Sequence, residues 1–202
     1  DTERNVKMML SSPCLLARVA LVDPLLSLTT PPHLTAAVGV DALTHAIEAY
    51  ISKRAQPMTD ALALEAIHMI SGSLRQAWAD GGNLDARTQM MLGASIAGMA
   101  FSNSSVALVH GMSRPIGAYF HIHHGLSNAV LLLDVMEFSA IGAPARFADI
   151  ARAMGEPIEG LSVMQRADGA IAAVERLIND IQMPRLGQIG IDRDPFEAVV
   201  EQ

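Results

Sequence analysis

The sequence predicts a mainly α-helical, bundle-like domain preceded by a short β segment. Three observations carry that prediction. From Thr29-Thr30-Pro31-Pro32 onward, apolar residues recur at intervals of three and four, as in Ala61, Leu64, Ala66, Ile67 and Ile70. Half of the 202 residues are hydrophobic but only 4% are aromatic, and twelve are Met, so the core is built from Ala, Leu, Ile and Met, which form helices well. The helical runs are also punctuated by Gly and Pro at Gly81-Gly82-Asn83, Gly142-Ala143-Pro144, Gly155-Glu156-Pro157 and Met183-Pro184.

Taken in order, residues 2–23 read differently from the rest. A short polar–apolar stretch, Asn5 to Leu10, is followed by ARVALV (17–22), which closes on Asp23-Pro24. Val-rich alternation ended by Asp-Pro predicts a strand and a turn. Two strands alone are marginal in water, so their sheet is expected to lie elsewhere in a longer protein or in a partner. Helices are then predicted over 32–38, 40–53, 57–79, 84–102, 106–119, 125–139, 144–153, 160–181 and 195–201. Pro at a first turn marks several starts, and Gly39 divides the first two.

Charge and cysteine usage narrow the function classes. The net charge is −7 with no block of Lys or Arg, which is the wrong footprint for a nucleic-acid binder. Cys14 stands alone, excluding an internal disulfide framework and fitting the reducing cytoplasm. Apolar runs such as Ala129 to Leu133 are far shorter than the roughly 18 residues of a membrane span. The chain opens on Asp1 rather than Met, and a fragment or processed product is expected.

Two stretches carry chemistry. Asp41 and His45 lie four apart in an apolar helical segment and so share one face. Four of the seven histidines fall within HGMSRPIGAYFHIHH (110–124). Imidazole mixed with carboxylate suits Fe(II) or Zn(II). Each pair has a bland reading as well: an Asp at a helix start can cap it, and His110 with His124 can be ordinary core or surface histidines. One straight helix would hold His110 and His124 about 21 Å apart, so shared coordination requires the chain to turn back. Pro115 and Gly117 are expected to weaken the helix and residues 119–123 to form a loop. His121 and His123 read as loop residues, His33 and His68 as surface or cap positions. Glu48, a turn beyond His45, reads as a polar contact or a solvent-facing group.

GVDALTHAIEAYIS (39–52) and GMAFSNSSVALVHGMSRPIGAYFHIHHGLSNAVLL (98–132), with ARVALVDP (17–24) before them and ARFADIARAMG (145–155) after, resemble the iron-containing, or group III, alcohol dehydrogenases. The resemblance is to their C-terminal helical domain, of dehydroquinate synthase-like fold, and extends over essentially the whole chain. It implies a metal held by Asp41, His45, His110 and His124, usually Fe(II) and sometimes Zn(II). It implies reversible hydride transfer between a small alcohol or aldehyde and NAD or NADP, with the metal as Lewis acid on the substrate oxygen. By the same resemblance Leu34 and Phe101 line the nicotinamide and substrate side. Arg114 stands where many relatives carry a proton-relaying His, and Arg is a poor acid–base group, so relay is expected through water, His121 or a cofactor hydroxyl, unless substrate choice differs. His123 stands where relatives often have Pro.

No Gly-x-Gly-x-x-Gly loop occurs in these residues. By the same resemblance, residues 1–28 are expected to end a nucleotide-binding α/β domain, and 29–202 to form the metal-binding domain, short at its C-terminus. Competing readings are a related polyol dehydrogenase or oxo-acid reductase, against which the intact ligand set argues, and a stand-alone or truncated helical metal-binding or interaction module without turnover. A metal-dependent hydrolase is weaker still, since no Glu adjoins the His motifs as a base. Small-residue helices should leave apolar surface, so self-association into a homo-oligomer is expected.

Overall fold

The computed structural model describes residues 12–189 as seven α-helices joined by short connections, with three short 3-10 turns. The helices are α1 (Pro32–Ile51), α2 (Pro57–Ala79), α3 (Leu84–Asn103), α4 (Leu108–Tyr119), α5 (His124–Ala140), α6 (Pro144–Ala153) and α7 (Val163–Asp180). The predicted helices over 57–79 and 144–153 coincide with α2 and α6, both opened by Pro at a position where its missing N–H costs nothing. The expected stretches at Asn5 to Leu10 and at 195–201 lie outside the described residues.

Helix α1 is the axis of the fold. Thirteen of its twenty residues are buried, and it touches α2, α3, α4, α5 and α6. Two helices were expected here, split at Gly39, but the helix runs through it. The reason is packing: a Cβ on Gly39 would come within 2.4 Å of a Leu74 methyl and 3.1 Å of the Met90 side chain. The missing side chain admits α2 and α3 to the α1 surface, and that burial outweighs the roughly 1 kcal/mol helix penalty of Gly.

At the front, ARVALV forms no strand. Residues 16–22 run as irregular chain, with Val19 and Leu21 strongly exposed, because a strand without a neighbour has no partner for its backbone groups. The Asp-Pro turn does form: the Asp23 carboxylate accepts from Leu25 N–H at 2.9 Å and caps a 3-10 turn, Pro24–Ser27. Buried Arg87 then ties the linker down, donating to Gly81 O, Thr30 O and Thr35 Oγ1. The helix predicted over 106–119 is observed as α4, which continues through Pro115 to Tyr119. The lost hydrogen bond falls on the carbonyl of exposed Gly111, where water can replace it. Reversal follows at residues 120–123, where His121 takes a left-handed backbone (φ 54°). No single helix among the described residues is long and apolar enough to cross a membrane.

Candidate metal centre

Three helices converge on one point. Asp41 and His45 come from α1, His110 from the first turns of α4 and His124 from the first residue of α5. One ligand atom from each lies within 4.8 Å of the others. The reversal at His121 brings His124 back beside His110, with ring centroids 5.4 Å apart. Gly125 allows the approach of α5 to α1, since a Cβ there would sit 2.8 Å from the Ala37 carbonyl oxygen.

The donor geometry fits a small divalent ion. Tetrahedral bonds of about 2.1 Å put neighbouring donors about 3.4 Å apart. Here His45 Nε2 and His110 Nε2 are 2.9 Å apart, and Asp41 Oδ1 lies 3.7 Å from His110 Nε2 and 4.0 Å from His124 Nε2. Three nitrogens and one carboxylate oxygen suit Fe(II) or Zn(II). Burial grades across the cluster, from His110 at 6% side-chain exposure to His124 at 41%, so it is closed on the α1–α4 side and open beside α5. Burial lowers the His45 pKa; the Asp41 carboxylate opposes this, while His110 and His124 add to it. The neutral imidazole that results is the form that binds metal.

Two further residues complete the cluster. Glu48, only 1% exposed, accepts a hydrogen bond from Val109 N–H at 2.5 Å and faces His110 Nδ1 at 2.6 Å. Fully buried Asn128 donates from Nδ2 to Asp41 Oδ1 at 2.6 Å and lies 3.1 Å from His110 Nε2 and 3.2 Å from His124 Nε2. Its buried Oδ1 has no hydrogen-bond partner among the described residues. The signal for both was helical spacing: Glu48 is seven residues after Asp41, and Asn128 four after His124, on the same faces.

The other expected site residues divide. Phe101 stacks on His45, with centroids 4.5 Å apart and planes at 23°. Leu34 lines a cavity of about 520 Å³ between the N-terminal ends of α1 and α5 and the end of α7, together with His33, His123 and Trp78. Neither Arg114 nor His121 joins the four-donor cluster: exposed Arg114 donates from Nε to the His110 carbonyl at 3.0 Å, and His121 is exposed in the turn.

Fold and site together define, among the described residues, a mainly helical fold with a candidate centre for a divalent metal. Residues 35–202 match the family described as Fe-containing alcohol dehydrogenase, C-terminal, and the chain belongs to that family. It is 47% identical over all 202 residues to 1,3-propanediol dehydrogenase of Klebsiella pneumoniae, covering 52% of that protein. It is 41% identical over the same length to lactaldehyde reductase of Escherichia coli (strain K12), again covering 52%. Among solved structures it resembles a 1,3-propanediol oxidoreductase with a TM-score of 0.87 and 49% identity, over 89% of this chain and 47% of that one. The chain thus spans about half the length of the curated relatives it matches.

Proposed function

We propose that this chain supplies the metal-binding half of an NAD(P)-dependent alcohol dehydrogenase acting on a small alcohol or aldehyde. The observation that carries the reading is the convergence of Asp41, His45, His110 and His124, from three helices, within 4.8 Å. These four are the ligands. Fe(II), or Zn(II) in its place, supplies a Lewis acid that acidifies an alcohol oxygen. The residues around it do the rest. Asn128 restrains the Asp41 carboxylate through its 2.6 Å hydrogen bond. Phe101 backs the His45 ring and, with Leu34, presents apolar surface toward the substrate and nicotinamide side.

The dinucleotide is held mainly outside these residues, which contain no Gly-x-Gly-x-x-Gly loop. Small substrates agree with the names of the relatives, 1,3-propanediol dehydrogenase and lactaldehyde reductase. A cytoplasmic setting fits the lone Cys14. Exposed Phe138, Ile141, Val163 and Met164 fit assembly into a homo-oligomer.

Elemental analysis of anaerobically purified chain, beside the Asp41→Ala variant, tests the reading. About one equivalent of iron or zinc, lost in the variant, is the expected result. Metal bound equally by both would refute the ligand set.

A further inference from the structure

Glu48 is the one carboxylate residue buried among the described residues. A buried carboxylate is costly unless its oxygens are engaged, and charge-assisted hydrogen bonds are the strongest way to engage them. Each oxygen here has its own task. Oε1 accepts the Val109 N–H in the first turn of α4, whose N-cap residue, Ala107, has no side-chain acceptor to offer. Glu48 therefore caps α4 from another helix and places negative charge at its positive end.

Oε2 lies 2.6 Å from His110 Nδ1. A carboxylate accepts only, so that nitrogen carries the proton and donates. The Nε2 lone pair of His110 is thereby turned into the cluster, 3.7 Å from Asp41 Oδ1 and 2.9 Å from His45 Nε2. Asp41 and His45 share α1 with Glu48, at seven and three residues before it. One helix face thus offers two donors directly and sets the third by way of a carboxylate. Contacts between α1 and α4 are otherwise sparse, α4 packing mainly on α5, so this tie fixes the start of α4 relative to α1.

We infer that Glu48 is a positioning residue of the metal centre: it fixes the tautomer and direction of His110 and the start of α4, and so sets metal affinity without touching the metal. The inference rests on the metal reading above. Removing such a partner typically weakens metal binding about 10–100-fold.

The test titrates the full chain with Co(II) against a competing chelator and records the cobalt d–d absorption. Variants are Glu48→Gln, Glu48→Ala and, as a control, Phe147→Ala, which opens the core beneath α6 and removes no member of the cluster. Glu48→Gln keeps an oxygen for one N–H but turns an NH2 group on the other. Affinity is expected to fall about 10–100-fold in both Glu48 variants, with displaced absorption bands in Glu48→Gln. Folded Phe147→Ala should keep the wild-type affinity and spectrum.

Wild-type affinity and bands in Glu48→Gln would overturn the inference and leave the metal reading intact. No Co(II) binding by the wild type would overturn both. Should the variants not fold, long-range proton–nitrogen NMR of the Zn(II)-loaded wild type decides instead. Protonated Nδ1 and metal-shifted Nε2 at His110 are expected; the reverse pattern would overturn the inference.

Discussion

Helices α1 and α7 are built on opposite plans. In α7, buried Ala167, Ala170, Val174, Leu177 and Ile178 recur at helical spacing, while Arg166, Asp168, Glu175 and Arg176 lie off that stripe. Its start is a capping box, Ser162 accepting from Gln165 N–H and Gln165 accepting from Ser162 N–H. Helix α1 has no side-chain cap, is buried over most of its circumference and points Asp41, His45 and Glu48 inward. An amphipathic helix shows in its period what it packs against. In an internal helix the period fades, and the polar residues that stay inside become the informative ones, because each needs a partner.

The largest expected effect lies on the α1 side. His110→Ala should take metal stoichiometry from about one equivalent to near zero while circular dichroism keeps most of the helix signal. Retained metal would break the comparison, by showing that α1 holds its polar groups inward for structure alone. On the α7 side, Phe147 is fully buried between α6 and its neighbours, and Phe147→Ala should cost about 3–5 kcal/mol in chemical denaturation. Metal stoichiometry in the folded variant should not change.

Gly125→Ala should fall between these in kind and below them in size. The added methyl meets the Ala37 carbonyl oxygen, so α5 must move; about 1–3 kcal/mol of stability is lost, and chelator competition should show weaker metal binding as His124 shifts. Unchanged binding would mean that the cluster tolerates a displaced α5.

The smallest effect is expected where α1 meets α6. Tyr50 donates to Asp149 Oδ2 at 2.8 Å, and burial, followed by that hydrogen bond and the Asp149 charge, pushes its pKa up to about 12 from 10.0. The fold therefore keeps a proton that the unfolded chain releases, so this contribution is complete below pH 10 and is lost as pH rises through 12. Tyr50→Phe should cost about 1 kcal/mol at neutral pH and flatten the fall in melting temperature between pH 10 and 12. An unaltered fall would assign that pH dependence elsewhere.

Legibility in the sequence followed the same division. Helices α2 and α6 were readable to the residue because Pro marks their starts and Gly or Asp-Gly-Gly their ends. The split at Gly39 and the strand at residues 17–22 were misread, since both depend on neighbours that a linear pattern does not contain: Leu74 across from Gly39 and, for a strand, a second strand. In the candidate site, the four donors were visible as residue types at suggestive spacing. Asn128 does not stand out in the sequence, and Glu48 reads equally as a polar contact or a solvent-facing group, because a lone polar residue on a helix acquires meaning only from what faces it.

The sequence by itself determined the helical class, most of the breaks and the presence of three imidazoles and a carboxylate in two short stretches. These are local matters of propensity, turn chemistry and spacing along one chain. Only the tertiary structure decided that α1, α4 and α5 meet, that Gly125 and the turn at His121 let them, and which nitrogen of His110 faces the cluster. Those outcomes depend on distances between residues as many as 87 positions apart, such as Asp41 and Asn128. Such distances are set by how helices pack and by which buried polar groups must be satisfied together.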